Sequence, residues 1–488
     1  MSASALAVIF GIVAAGTCIG LYAGSRRKMD LEQWTVGGRD FGLPLVWLLM
    51  AGEVYTTFTF LGASGWAYSK GAPALYILAY QPLAYVVSFY ILPRIWDLGR
   101  EHRVQTLADF FQVRYRSKHL AALVAAVGVV FLIPYLQLQL TGLGIIVEVA
   151  SFQGIGRTPA MLLAFALVAA FVYTSGVRGV AWVSVLKDLL MLFAAVFVGI
   201  AIPYIYFGGI GPMFAALAHA HPGHLVMPGA TKSLGHAWYI STVLLSALGF
   251  YMWPHAFAAS LTARSAGTLR RNAVILPLYS ITVPLILFVG LGATLILPGL
   301  SNGDLSLLML VRKTFPAWFL GLIGGAGALT AMVPAASLIL AAATLFTKNI
   351  YRPLFAATMS DAQVATLAKV LVLVITAIAL VFAIYSSTTL VSLLLLGYAG
   401  VAQFFPGVVL GLYWRRVTRR GVSAGLLAGM AVVAALMLGK HDPLPGINAG
   451  FVALCVNFAV TAAISCLSRT EPGGFAEPRG ERGAATAD

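Results

Sequence analysis

The sequence predicts an all-α polytopic membrane protein, and three observations lead there. Hydrophobic residues make up 60% of the 488 positions and charged residues 10%, with mean hydropathy +0.91. A soluble globular chain of this length does not have that balance. Apolar runs recur at lengths that cross a bilayer, which takes about 20 residues each, and give about 13 spans. Basic residues gather in every second loop, the pattern of positively charged cytoplasmic loops. The net charge of +15 therefore points to the membrane surface and anionic solutes, not to nucleic acid.

Taken in order, the spans fall near residues 4–24, 43–69, 73–93, 120–148, 160–176, 182–208, 237–261, 273–298, 316–347, 366–386, 389–413, 422–439 and 449–468. Span one has no basic leader and no small-residue cleavage site, so it reads as a retained helix and not a signal peptide. Arg26, Arg27, Lys28 and Arg39 follow span one, and Arg94, Arg100, Arg103, Arg114, Arg116 and Lys118 follow span three. Arg264, Arg270 and Arg271 follow span seven, Lys348 and Arg352 span nine, and Arg415, Arg416, Arg419 and Arg420 span eleven. The alternate loops carry only Lys70, Arg157, Lys232, Arg312, Lys313 and Lys440. This bias places the N-terminus outside and the C-terminus in the cytoplasm, and the expected location is a bacterial-type inner (plasma) membrane.

A transmembrane domain over 1–467 is expected, with a tail over 468–488 whose Gly, Pro, Glu and Ala content reads as disordered. Residues 104–115 have helical apolar spacing and read as an amphipathic cytoplasmic helix. The external loop 208–236 holds His219, His221 and His224, and with no Cys or carboxylate beside them they read as solvated, not as a metal site. Cys18, Cys455 and Cys466 lie in apolar spans and form neither a disulfide framework nor a metal-ligand spacing.

Two spans are irregular. Span two contains Gly52-Glu-Val-Tyr-Thr-Thr-Phe-Thr-Phe-Leu-Gly-Ala-Ser-Gly65. A charge in hydrocarbon costs roughly 3 kcal/mol or more, so Glu53 is either a coupling or substrate group or a structural group tied to freed backbone. Gly52 and the hydroxyls of Thr56, Thr57 and Thr59 suit a helix broken at mid-depth, though each threonine can instead bond back to its own helix. Span seven contains Gly249-Phe-Tyr-Met-Trp-Pro-His255, where Pro254 removes a backbone donor. His255 is a proton carrier or a buried, satisfied histidine, with Tyr251 and Trp253 beside it as candidate substrate contacts. Corresponding interrupted spans in two halves point to a transporter site. The halves are then 43–208 and 237–413, an inverted repeat with its core over 43–413. The half-helix N-termini favour a carboxylate.

Other intramembrane polar groups join these. Span six opens with Lys187-Asp188. Neighbours in sequence do not face one another on a helix, so each needs another partner, a water-lined path, or a reach to the interface. Span nine carries Gly324, Gly325, Gly327, Thr330, Pro334 and Ser337, which suit close packing, and Pro334 frees a carbonyl. Gln403 in span eleven either reads a substrate or bridges helices. Tyr135, Gln137 and Gln139 in span four are polar and intramembrane. No Walker loop, HExxH or GxSxG appears, so neither an enzyme nor an ATP-driven pump is expected, with no cofactor and no metal.

These residues resemble the sodium:solute symporters, whose fold is the LeuT-type inverted repeat. The likeness runs through Thr35-Val-Gly-Gly-Arg39, Phe60-Leu-Gly-Ala-Ser-Gly65, the loop Gly176-Val-Arg-Gly-Val-Ala-Trp182, Thr344-Leu-Phe-Thr-Lys-Asn-Ile-Tyr351, and Gly411-Leu-Tyr-Trp-Arg-Arg416 with Arg420-Gly-Val-Ser-Ala-Gly425. It covers nearly the whole chain. The resemblance implies a cation site made by backbone carbonyls of Gly52 and Tyr55, by Thr330, and by two hydroxyl residues of span nine. Here Val333 and Pro334 stand at those two positions, with Ser337 one turn on as a substitute. Ser184 stands where the family tends to have Asp, and Lys187 where Gln is common. In some proton-using relatives of this fold a lysine occupies the cation site, which makes Lys187 a candidate beside Glu53. The Gly-Glu-x-Tyr-Thr-Thr and Trp-Pro-His patterns resemble the branch that carries small monocarboxylates. The resemblance thus implies a secondary symporter of a small organic solute, with a proton favoured over sodium as the coupling cation. A sodium-coupled symporter of an amino acid, a passive facilitator and a transporter-like sensor are the alternatives.

Overall fold

The computed structural model describes residues 2–25, 31–229, 233–385, 388–439, 441–444 and 446–468. The expected basic residues Arg26, Arg27, Lys28, Lys232 and Lys440, and the tail from Arg469, lie outside them. Every regular element among the described residues is helical, and the only pairing of strand type is an isolated bridge between Phe41 and Ala263 and another between Leu444 and Ile447. Ten helices are long and apolar enough to cross a bilayer, and a bent pair, Leu43–Val54 with Phe58–Lys70, makes an eleventh candidate. The chain is thus a multi-pass membrane protein.

The remaining two expected spans are built differently. The chain is helical without interruption over Arg157–Phe207, where the sequence suggests spans five and six with a loop at 176–182. The residues of that loop are corrected to helix, while the apolar stretch still divides into Arg157–Val172 and a span at Val177–Phe207. Glycine lowers helix stability by about 1 kcal/mol but keeps its N–H, so Gly176 and Gly179 weaken the helix without breaking it. Span seven is split into His236–Gly249 and Pro254–Ser260, joined by a tight turn at Phe250–Met252. The segment 208–236, expected as an external loop, contains a helix at Ile210–Ala220.

Span two breaks where its composition suggests. Helix Leu43–Val54 ends at Tyr55 (φ −90°, ψ 85°), and the chain resumes at Phe58 with a wide π turn, bent by 55°. Gly52 is required by the neighbouring helix: a Cβ there would sit 2.9 Å from Ser184 Oγ and 3.3 Å from Lys187 Nζ. In span seven the break falls at Trp253 (φ −59°, ψ 124°), because Pro254 has no N–H to continue the ladder. Span nine, by contrast, runs as one helix over Ala317–Thr344 in spite of Pro334.

Segment 104–115 forms a helix at Leu107–Tyr115 with a capping box between Thr106 and Asp109. Its Phe110, Phe111 and Tyr115 are buried in protein, so it is an internal strut and does not lie on the bilayer surface as its amphipathic pattern suggests.

Candidate functional site

The two breaks face each other across a narrow cavity, about 300 Å³ with its mouth, lined by Glu53, Val54 and Phe58 of span two and Phe250, Trp253, His255 and Ala256 of span seven. Tyr80 of span three, Tyr135 of span four, and Leu394 and Tyr398 of span eleven complete the wall. Aromatic rings interlock around it: Tyr135 lies 4.8 Å from Trp253 and 5.5 Å from His255, and Trp253 lies 5.3 Å from Tyr398. Gly397 leaves room for Trp253, since a Cβ there would sit 2.3 Å from the indole.

A second cavity, about 450 Å³ with its mouth, extends from Glu53 and His255 toward the end that carries the basic loops. Thr35, Gln105, Thr106, Ser337 and Thr344 line it. Glu53 and His255 belong to both cavities and form the partition between them. At the opposite end the central cavity is covered by aromatics: Trp66 stacks on Trp238 at 5.7 Å, and Tyr76 and Tyr80 pack beneath them. Aromatic contacts contribute about 0.5–1.5 kcal/mol each beyond area burial, so this cover is a substantial closure.

Breaking span two frees carbonyls, and two side-chain clusters collect on the break. In the first, Lys187 Nζ donates to Gly52 O and Tyr55 O, both at 3.1 Å, and pairs with Asp188 Oδ1 at 2.9 Å. Three acceptors use all three ammonium donors. Tyr279 donates to Asp188, at 3.1 Å to its carbonyl and 3.3 Å to Oδ1, while Asp188 Oδ2 has no hydrogen-bond partner among the described residues. The sequence reading that these neighbours face apart is corrected here. Their Cβ directions do diverge, but the four-carbon lysine stem folds back to the adjacent carboxylate. Neither residue reaches an interface, since both are fully buried.

In the second cluster, Ser337 donates to Glu53 Oε1, and His255 Nε2 lies 3.7 Å from Glu53 Oε2. Glu53 Oε2 and His255 Nδ1 make no hydrogen bond among the described residues. Tyr135 donates to Glu53 O and Thr56 Oγ1, both at 3.4 Å. Ser337 thus meets Glu53.

The other expected site residues are placed as follows. Trp253 and His255 line the central cavity, while Thr56, Thr59, Gln139, Tyr251 and Gln403 do not. Thr56 caps the break by accepting from Phe58 N, and Thr59 bonds back to Val54 O. Gln139 accepts from Thr57. Gln403 donates to Gly450 O and accepts from Asn457, bridging spans eleven and thirteen. The Tyr55 ring points away from the cavity to Gln81, Tyr85 and Ser280. Thr330 donates to Ala326 O, and Val333 and Pro334 are buried and offer no side-chain oxygen. Phe250 lies in the irregular stretch of span seven but is not among the expected contacts, and Tyr80 and Tyr398 are cavity residues that sequence reasoning missed. Isolated aromatics in apolar spans give no period or motif, although Gly397 beside Tyr398 hinted at a close approach.

At the basic-loop end, Asp109 gathers Lys348 Nζ (2.7 Å) and Asn349 Nδ2 (2.8 Å). Burial alone would raise its carboxyl pKa, but Lys348 and the hydrogen bonds more than offset this and hold it below the ordinary carboxylate value. Arg39 reaches Val104 O and Leu261 O, and Arg178 pairs with Asp40 at 2.7 Å. The Gly-Gly-Arg motif thereby ties the segment before span two to spans three, six and seven.

A family model, the sodium:solute symporter family, matches residues 34–429. The chain belongs to this family. It is a transporter family, so the chain is a symporter and not an enzyme. Among its relatives, the uncharacterized symporter YhjB of Bacillus subtilis is 44% identical over 479 residues (96% of this chain, 97% of that one). A monocarboxylate transport permease protein of Rhizobium johnstonii is 29% identical over 486 residues (96% and 97%). In structure, this symporter is similar to a Na+-coupled sialic acid symporter solved substrate-bound and outward-open, with TM-score 0.81 at 19% identity over 96% of this chain and 98% of that one. A nucleobase-cation-symport-1 family transporter, closed around bromovinylhydantoin, gives TM-score 0.59 at 12% identity over 91% and 96%. The fold of this family member is LeuT-type.

Proposed function

We propose that this symporter imports a short-chain monocarboxylate across the bacterial inner membrane, coupled to a proton in place of sodium. The observation that carries the proposal is the ammonium of Lys187 seated on Gly52 O and Tyr55 O. Those carbonyls are the ones expected to hold the family's cation, and a bound ammonium competes directly with a metal ion for them. The wall that would complete a sodium site presents Val333 and Pro334, and Ser337 is engaged by Glu53. The cavity lies between the two helix breaks, where interrupted spans of a transporter hold a solute. The monocarboxylate class is supported by the name of the Rhizobium relative.

In this reading Arg157–Val172 and Val177–Phe207 are two separate crossings, so the chain crosses the membrane 13 times, N-terminus outside and C-terminus in the cytoplasm, with the inverted-repeat halves at 43–208 and 237–413. The transmembrane domain ends near 467. The solute enters from outside when the Trp66–Trp238 cover opens, and leaves through the cavity that runs to the basic-loop end. Spans two, three, seven and eight rock against the rest. No cofactor or metal takes part, and the coupling ion is the only ion required.

A second substrate class has its own support. Six aromatic rings with one carboxylate make an environment that attracts an ammonium group, so a small amino acid is the alternative. Uptake into proteoliposomes under imposed gradients tests the proposal. Accumulation driven by an inward proton gradient without sodium is expected, and strict sodium dependence would refute it. A thermal-shift screen of short acids against amino acids separates the substrate classes, because a ligand that binds the native state raises its stability.

A further inference from the structure

We infer that Glu53 and His255 together hold the coupling proton inside the solute cavity, so that carboxylate and proton cross as one neutral unit while Lys187 stays charged throughout. The inference rests on the monocarboxylate reading and deepens it.

Three features of the geometry carry it. No Arg or Lys lines the central cavity among the described residues, and its ionisable groups apart from tyrosines are Glu53 and His255. A carboxylate entering there meets a carboxylate. Two such groups in contact, away from water, cannot both remain ionised. A proton on the Glu53–His255 pair removes the conflict and supplies a donor to the incoming anion.

Second, the pair has the open valences that this task requires. Glu53 Oε2 and His255 Nδ1 are buried without hydrogen-bond partners among the described residues. The ammonium of Lys187 has none to spare, and neutralising it would leave Asp188 a buried unpaired charge.

Third, both residues also line the cavity toward the basic-loop end. A proton released from them therefore leaves by the route the solute takes.

Every charged or titratable neighbour fits this assignment. From span nine, Ser337 donates to Glu53 Oε1. From span four, Tyr135 donates to the Glu53 carbonyl and packs against His255. Tyr80 of span three and Tyr398 of span eleven line the same cavity. From span six, Lys187 and Asp188 lie across the break and offset one another.

The test uses the full-length protein in proteoliposomes with radiolabelled pyruvate, lactate and acetate, and with membrane potential clamped by potassium and valinomycin. Uptake should follow the proton gradient and ignore an imposed potential. Pyruvate affinity, read by tryptophan fluorescence since Trp253 lines the cavity, should fall about tenfold per pH unit on the alkaline side, as one linked proton requires. Glu53→Gln should flatten that slope, and His255→Gln should displace its midpoint. A wild-type slope in Glu53→Gln, with proton-driven uptake intact in the native protein, overturns this inference alone and moves the proton to Lys187. If Glu53→Gln binds at no pH, His255→Gln gives the reading. If neither variant binds, the response to potential decides, and electrogenic uptake overturns the inference. Absence of accumulation of all three acids by the native protein under any proton gradient overturns the monocarboxylate reading beneath it.

Discussion

The break in span two has two faces, and they are finished differently. On the span-six face, the Lys187 ammonium meets three acceptors and has no donor left over. On the face toward spans seven and nine, Glu53 and His255 stand 3.7 Å apart with one polar atom each unpartnered. Both faces are buried in protein, but only the second borders the cavities. A saturated buried cation acts as a fixed part of the frame, because moving it or removing its charge exposes several groups at once. An unsaturated pair that borders two cavities can accept a proton or a ligand without dismantling anything.

The contrast breaks most directly at Lys187. Lys187→Met should strand Asp188 and two carbonyls and cost about 3–5 kcal/mol, seen as a large loss of thermal stability in detergent together with loss of uptake. The double variant Lys187→Met, Asp188→Leu should recover most of that stability. A Lys187→Met protein as stable as the native one would show that this face is not part of the frame.

Gly52→Ala comes next. Its methyl would meet Ser184 Oγ at 2.9 Å, and overpacking of this kind costs about 1–3 kcal/mol. The expected outcome is a lower midpoint of unfolding, which Ser184→Gly should partly rescue by making room. On the cavity face, Gly397→Ala would set its methyl 2.3 Å from the buried Trp253 indole, so it should raise the solute KM about tenfold, an effect of roughly 1.4 kcal/mol, beside an overpacking cost of the same order. The smallest effect belongs outside both faces. Gln403→Leu removes a bridge between spans eleven and thirteen and should cost about 1 kcal/mol of stability with KM unchanged. A raised KM there would return Gln403 to the solute site.

The sequence carried the scale of the fold because the bilayer imposes it: apolar runs, alternating basic loops and two interrupted helices are all linear features. Glu53, Trp253 and His255 were legible for the same reason, as costly or irregular residues inside such runs. Thr59 and Gln403 looked equally costly and proved to satisfy themselves on their own helix or on span thirteen. Hydrogen-bond partners reached through space leave no trace in sequence spacing. The uninterrupted helix from Arg157 to Phe207 was missed because two glycines lower helix stability without removing a donor.

What the sequence determined by itself was therefore an all-helical membrane transporter with charges buried at its breaks. What only the tertiary structure decided was how those charges are shared. Lys187 turns back to its own neighbour and to the freed carbonyls of span two, Ser337 turns to Glu53, and Glu53 with His255 is left between two cavities. That division depends on distances between helices far apart in the chain. In a medium of low polarity, those distances decide which groups are satisfied and which remain open to a proton or a solute.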